Sequence, residues 1–446
     1  QDMFREDTPS FFQLLNDTLD ISEFIPADYY HAFYLALGRK RTYPLEGFLS
    51  ALILQKIFSI PSDSLLILFL GLCRELRDFC GFSKVPDAPL FSRFRTSFDP
   101  YIEQMFHMLV DLTEPICHLI DSSLANVLTF DTSGIELYVT ENNPKTLNSL
   151  IKRLKAYYKD NPDIDPYRMA YALMPSRAAS CPDAKQQYIN GHFCYADKFA
   201  VLTNGLGIIR HITFLDDDFK KAHPEMTVDK KSDSPDEDKS IGDSSSLHPV
   251  LSDYFSLHPR FSPDTFLGDS AFDTIETYGF LKEEFHFSKA LIPYNVRNES
   301  SLPEVGYNLY GYPTCPNDPS LAMKHLGHCH EKGRADREKW GCPKVHMVKG
   351  QYVCSCDNPC STAKKGRTAY TYENMDFRRQ EEWDALYKIR TIVERAINHL
   401  KTNMCVAGRK SRHHVTTKAD VFLAGIAGQF TVIVAHRLSY PQYIRS

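Results

Sequence analysis

YKIRTIVERAINHLK, residues 387–401, places Arg390, Glu394 and Lys401 at offsets of 3, 7 and 14 from Tyr387. At roughly 100° per residue an α-helix gathers these four side chains into a sector of about 60°, with Asn398 on the same stripe. One carboxylate then stands among two cations, a phenol and an amide. Two distant carboxylates end apolar, strand-like runs: Asp131 closes SLANVLTFD (123–131) and Asp269 closes TFLGD (265–269). Rigid strand ends and a helix can bring three carboxylates together. Their chemical reason for meeting is to hold divalent ions, with the bases beside them serving a polyphosphate. The expectation is two-metal chemistry on a DNA backbone. A lone Asp after a strand is usually a turn former, so the combination with the helix stripe carries this reading.

The chain has 446 residues, 43% hydrophobic and 24% charged, enough for two or three domains with their own cores. A formal net charge of -5 gives no global signal of a nucleic-acid partner, but the distribution is uneven. From Leu386 to Ser446, Lys388, Arg390, Arg395, Lys401, Arg409, Lys410, Arg412, Lys418, Arg437 and Arg445 face only Glu394 and Asp420. Basicity concentrated there suits a phosphate backbone, against the alternative of a solvated basic helix. The N-terminal residues do not resemble a signal peptide, and the longest apolar segment, Ala419 to Ala435, carries Asp420 and Gln429. That segment reads as a buried core helix rather than a membrane span. The expected setting is the cytoplasm, with no membrane partner. Twelve cysteines without a secretory signal imply reduced thiols.

Periodicity divides the chain further. Residues 1–120 read as an all-helical domain through FLSALILQKIFSI (48–60), DSLLILFLGLCREL (63–76) and PYIEQMFHMLVDLTEPICHLI (100–120). Within it, PDAPLFSRFR (86–95) is either a DNA-docking helix start or a helix packed through Leu90, Phe91 and Phe94. Residues 121–296 read as an alternating β/α region, with strands at 123–131, 192–204, 205–218, 265–269 and 289–295, and a hairpin turn at Asn204-Gly205. An insertion is expected at about 136–191, holding the basic helix TLNSLIKRLKAYYK (146–159), and a disordered acidic linker at about 229–246. Residues 297–384 are rich in Cys, His, Gly and Pro, and regular helix returns over 385–446. In the Cys-rich stretch, Cys329, Cys342, Cys354, Cys356 and Cys360 supply either a structural zinc site or unligated thiols. Trp340 there either stacks on an extruded base or packs.

These motifs resemble the DDE transposases of bacterial insertion sequences, in the subgroup with a Tyr-x2-Arg-x3-Glu-x6-Lys catalytic helix. Residues 387–401 fit all four positions. TFDTSG (129–134) resembles the first-aspartate strand and FLGDSAFD (266–273) the second, although Ser270-Ala271 stands where relatives often carry Gly. YPLEGFLSALILQKIFSI (43–60) and VPDAPLFSRFR (85–95) are similar to the helical domain fused ahead of that core. The resemblance implies an α/β fold: a ribonuclease-H-like catalytic core, its mixed sheet flanked by helices, behind an N-terminal all-helical domain, with the Cys-rich insertion before the last catalytic helix. It also implies Asp131, Asp269 and Glu394 holding two Mg²⁺ or Mn²⁺ ions. Tyr387, Arg390 and Lys401 would contact phosphates, with Asn398 beside them. The implied substrates are terminal inverted repeats and target DNA, and the assembly a homodimer in the synaptic complex. The alternatives are a two-metal nuclease that does not join strands, or a catalytically silent Cys-rich DNA-binding protein. Asp273 is either a carboxylate supporting the metal ligands or the N-cap of a helix over 274–285.

Overall fold

The structure is a computed structural model that describes residues 8–35, 40–161, 163–189, 192–226, 241–293, 295, 308, 312–315, 318–329, 337–355, 365–368 and 380–440. Helices α1 (Thr8–Thr18), α2 (Ala27–Phe33), α3 (Leu45–Ile57), α4 (Asp63–Leu72), α5 (Arg74–Phe79) and α6 (Ala88–Ala125) precede the first strand. Strand β1 (Val127–Glu136) is followed by α7 (Pro144–Tyr157), α8 (Pro166–Leu173), β2 (Arg177–Ala178), β3 (Cys181–Ile189), β4 (His192–Asn204) and β5 (Ile209–Phe214). Then come α9 (Asp217–Ala222), α10 (Asp243–Leu257), β6 (Thr265–Leu267), α11 (Ile275–Glu283) and β7 (Lys289–Leu291). Short strands occupy parts of 314–368, before α12 (Gln380–Tyr387), α13 (Thr391–Asn398) and α14 (His414–Arg437). The chain is mixed α/β and forms two compact units. Unit 1 is Gln1–Ala125, Asp131–Pro259 and Ile392–Ser446, and unit 2 is Asn126–Phe130 and Arg260–Thr391.

In unit 1 the helical region closes around aromatic rings. Phe48 of α3 stacks on Phe94 at 4.9 Å between centroids and meets Phe91 edge-on at 5.4 Å. PDAPLFSRFR therefore starts a helix packed by Phe91 and Phe94, the blander of its two readings. Arg95 is fully buried and points inward too. Helix α6 departs from helical backbone at Phe98, two residues before Pro100, and again at Asp121. A proline removes a helix hydrogen bond and crowds the preceding turn, which accounts for the first break. At the second, the Asp121 carboxylate accepts from Ser123 N and Leu124 N, both at 3.1 Å. That ends the helical run where the sequence pattern changes. Helix α14 is the apolar C-terminal segment. It is long and apolar enough to cross a membrane, yet 78% of its apolar window is buried inside the protein.

The strands of unit 1 differ from expectation in two places. β4 and β5 pair antiparallel, but their turn spans Asn204 to Ile208, and the residue with positive φ is Gly207 (83°), not Gly205. The Asn204 side chain accepts from Leu206 N and Ile208 N, both at 3.1 Å, and so organises a wider turn than a two-residue hairpin. The expected insertion at 136–191 also ends in a strand. β3 pairs antiparallel with β4 from Lys185↔Ala196 to Ile189↔His192. The dipeptide Asn190-Gly191 between them is the hairpin signal that would have revealed it. Helix α10 starts at Asp243, inside the expected acidic linker, whose residues 229–240 lie outside the described residues.

In unit 2 the first residues of β1 pair in parallel with β6, Val127↔Thr265 to Thr129↔Leu267, and β6 pairs in parallel with β7. Val127, Leu267 and Leu291 form a core with Trp383 of α12, against which Leu386, Tyr387 and Ile389 pack. Parallel strands need cover on their faces, and α12 supplies it through Trp383. In the Cys-rich stretch Trp340 is 1% exposed and packs with Tyr312 and Met323, so it is a core residue there. Cys342 is buried, Cys329 and Cys354 lie on short strands, and Cys356 and Cys360 lie outside the described residues.

Candidate active-site residues

Asp131 sits in the middle of β1, half-buried, and its carboxylate accepts from Thr132 N at 2.8 Å. Strand alternation puts Ser133 on the same face of β1 as Asp131 and Thr132 on the other. On that other face Thr132 Oγ1 donates to Asp243 Oδ1 at 2.6 Å, and Lys198 Nζ lies 2.7 Å from the same carboxylate. Burial would raise the Asp243 pKa, but Lys198 outweighs it and lowers it, so this face is occupied by a settled ion pair. On the Asp131 face, Ser133 Oγ accepts from Lys401 Nζ at 3.1 Å. Sequence reading placed Lys401 near the carboxylates through the helix stripe; the structure ties it to the first-aspartate strand itself.

The stripe is built differently from one continuous helix. α12 ends at Tyr387, a 3-10 turn covers Lys388–Arg390, α13 runs from Thr391 to Asn398, and a π-turn covers His399–Asn403. Roughly 120° per residue in the 3-10 turn and less than 100° per residue in the π-turn interrupt the constant 100° spacing. Glu394, Asn398 and Lys401 belong to unit 1, Tyr387 and Arg390 to unit 2. Glu394 and Asn398 are exposed, and Asn398 Oδ1 accepts from Thr402 Oγ1 at 3.1 Å. The π-turn carries Lys401 to Ser133.

Lys401 is unusual electrically. Burial lowers its pKa below the ordinary lysine value. Among the described residues its ammonium has a hydroxyl as hydrogen-bond partner and no carboxylate in ion-pair reach. The segment that follows is firmly held. Ser59 Oγ donates to the Asn403 carbonyl, and Tyr138 N donates to Ser411 O at 2.7 Å. Arg409 pairs with Asp63 at 2.9 Å and with Asp420 at 2.6 Å. His414 lies 3.1 Å from Asp197 and 2.9 Å from Asp216. Burial opposes charge on His414, but the two carboxylates prevail and raise its pKa to about 10.

Not all of the C-terminal basicity faces outward. Arg409 joins Lys56 and Arg95 around the buried carboxylate of Asp420, with Lys56 at 2.7 Å and Arg95 at 3.0 Å. Lys418 pairs with Glu103 at 3.0 Å, and Arg437 with Glu23 at 3.4 Å. Their charges are consumed inside unit 1 by acids far away in sequence. Lys388, Arg395, Lys410 and Arg412 are exposed.

In unit 2 Asp269 follows Gly268 at the end of β6 and is exposed. Its Oδ1 accepts from Ser270 N and, at 3.1 Å, from Ser270 Oγ, which caps a short 3-10 turn. Ser270 thus fixes this turn. A Cβ on Gly268 would meet Phe266 Cε1 at 2.9 Å, so the close packing of this strand end needs glycine. Tyr387 Oη donates to the Gly268 carbonyl at 3.3 Å, and its ring stacks on Trp383 at 4.6 Å. Tyr387 is thereby anchored beside the second-aspartate turn. Asp273 is not the N-cap of α11. Thr274 is the N-cap of α11, while Asp273 accepts from Asn295 N at 2.9 Å and from Tyr278 Oη at 3.3 Å.

Residues 2–97 match the family model described as a transposase domain (DUF772). No curated protein matches the chain. Among solved structures, the chain is similar to one described as a piggyBac transposase synaptic complex with hairpin DNA. The identity is 13% and the TM-score 0.38, with 100% of this chain and 80% of that chain covered.

Proposed function

We propose that this protein is a DNA transposase of the DDE type, with a ribonuclease-H-like core whose first four strands are β1, β4, β5 and β6. On this reading Asp131 lies on the first core strand, Asp269 follows the fourth, and Glu394 stands on the last catalytic helix. The observation that carries the proposal is the half-buried Lys401 ammonium. It is held by Ser133 on the Asp131 face of β1 and has no carboxylate counter-charge among the described residues. A cation kept partly out of water without an acid is a standing site for an anion, and in a transposase that anion is a DNA phosphate. The transposase-domain match over residues 2–97 supports the same class independently.

The donor set suits hard divalent ions: three carboxylates, of which Asp269 keeps Oδ2 without a hydrogen bond among the described residues. Asp131, Asp269 and Glu394 would hold two Mg²⁺ or Mn²⁺ ions, which when bound activate a water or 3′-hydroxyl and stabilise the leaving oxygen. The residues around them position DNA. Arg390 can grip a phosphate with two parallel hydrogen bonds, Lys401 acts as a point charge, and Tyr387 and Asn398 line the backbone path. Hydrolysis at element ends frees a 3′-hydroxyl, and transfer of that hydroxyl joins the ends to target DNA. Synapsis of two ends calls for a homodimer, working in the cytoplasm on the nucleoid.

The test is Mg²⁺-dependent nicking of duplexes carrying the inverted repeats that bracket the gene. Glu394→Gln should abolish nicking while end binding survives. Nicking that persists in Glu394→Gln would overturn the active-site assignment. Nicking by the unaltered protein without strand joining would reduce the function to a nuclease.

A further inference from the structure

Three histidines from three elements of unit 1 meet in its interior, apart from every residue discussed above. His107 lies on α6, His211 on β5, and His258 caps the C-terminal end of α10. One ring nitrogen from each lies within 4.8 Å of the others. His107 is 9% exposed, His211 2% and His258 1%.

The surroundings prepare these nitrogens for a ligand. Asp111 lies one helical turn beyond His107 on the same face of α6, and its Oδ1 is 2.7 Å from His258 Nδ1. That contact fixes the tautomer and turns His258 Nε2 toward His107, whose Nδ1 is 3.2 Å away. Thr213, on the same face of β5 as His211, holds His211 Nε2 through Oγ1 at 2.6 Å. Two ring nitrogens remain buried with no hydrogen-bond partner, His107 Nε2 and His211 Nδ1. Leaving a buried polar atom unpaired costs about 1–3 kcal/mol each, so a purely structural trio would be an expensive core. Coordination through His107 Nδ1, His258 Nε2 and His211 Nδ1 would remove the share of that cost borne by His211 Nδ1. A tetrahedral ion with metal–nitrogen bonds of 2.0–2.1 Å sets its ligand nitrogens about 3.3 Å apart, which suits the His107–His258 spacing.

We propose that His107, His211 and His258 bind one transition-metal ion, zinc(II), which cross-links α6, β5 and α10. Burial holds all three rings neutral, as metal ligands must be; His107 is driven down to about 3, with His258 and Lys418 adding to the effect. Around His258, Asp111 and Glu114 are balanced by Arg210. Asp111 behaves as the carboxylate that orients a metal-bound imidazole. Three nitrogens with no carboxylate in direct coordination disfavour Mg²⁺, so this ion is separate from those proposed at Asp131, Asp269 and Glu394.

The experiment uses the full chain, stripped with a chelator and titrated with cobalt(II) as a zinc probe. One equivalent should give the visible d–d bands of a nitrogen-ligated tetrahedral site, without thiolate charge transfer. Zinc should displace it and Mg²⁺ should not. His258→Gln should remove those bands, and Asp111→Asn should weaken binding by about 10- to 100-fold with an unchanged far-ultraviolet circular dichroism spectrum. Absence of stoichiometric binding, or a spectrum showing only thiolate charge transfer from the Cys-rich stretch, would overturn the proposal. So would d–d bands that survive in a folded His258→Gln. If that variant does not fold, the unaltered protein's spectrum and the Asp111→Asn affinity decide.

Discussion

Lys401 offers the sharpest measurement. Each phosphate contact contributes a slope of about −0.9 to log K against log salt on duplex DNA. If the ammonium at Ser133 meets one phosphate, Lys401→Ala should flatten that slope by about 0.9. Between 50 mM and 200 mM salt, the fourfold change raised to that power is about 3.5. The variant's loss of affinity should therefore shrink about 3.5-fold across the range, read by fluorescence anisotropy with a labelled duplex. The structure adds a second readout. Among the described residues Lys401 is kept partly out of water with a hydroxyl partner and no carboxylate in ion-pair reach, so its removal frees no buried acid there. Folding stability should be unchanged or slightly higher in Lys401→Ala. A purely structural lysine would behave in the opposite way, lowering stability and leaving the salt slope intact. Parallel salt plots for variant and unaltered protein would refute the reasoning.

Three other outcomes follow from the geometry. Asp420→Asn leaves Lys56 without its carboxylate partner and Arg95 and Arg409 with Asp63 among the described residues, and should cost about 3–5 kcal/mol in urea denaturation, with Lys56→Met in the same background recovering part of the loss. His414, raised from 6.5 to about 10, should contribute stability that is fully present below pH 6.5 and lost as pH rises through about 10. Lys56, lowered by burial from 10.5 to about 8, gives the opposite trend between those values, so the check is the difference between the unaltered protein and His414→Gln, which should shrink as pH rises. Tyr387→Phe removes the bond to the Gly268 carbonyl and should cost about 1 kcal/mol of stability; a larger loss of nicking than of end binding would tie the hydroxyl to the placement of Asp269.

Much of the frame was legible from local pattern. Apolar spacing gave the helical first third, the helix packed by Phe91 and Phe94, and the buried C-terminal helix. The run ending in Asp269 became β6 with its turn, whereas the run expected at 123–131 begins as the end of α6 and continues as β1 past Asp131 to Glu136. The wider turn after Asn204 was not legible, because it depends on the Asn204 side chain taking two backbone amides. β3 was missed although Asn190-Gly191 announced it. The irregular course from Tyr387 to Lys401 was hidden for another reason: 3-10 and π turns share the apolar periodicity of an α-helix over so few residues.

The amino-acid order alone determined which residues could do chemistry, since carboxylates, cations and imidazoles carry their character wherever they stand. Only the tertiary structure decided which of them remain available. Arg95 and Arg409 are cancelled by Asp63 and Asp420, with 325 residues separating Arg95 from Asp420. Lys401 reaches a strand 268 positions away and, among the described residues, finds a hydroxyl there instead of an acid. His107 and His258, 151 positions apart, come within hydrogen-bonding distance. Electrostatic compensation acts over a few ångströms of space and is indifferent to distance along the chain, so folding alone settles it.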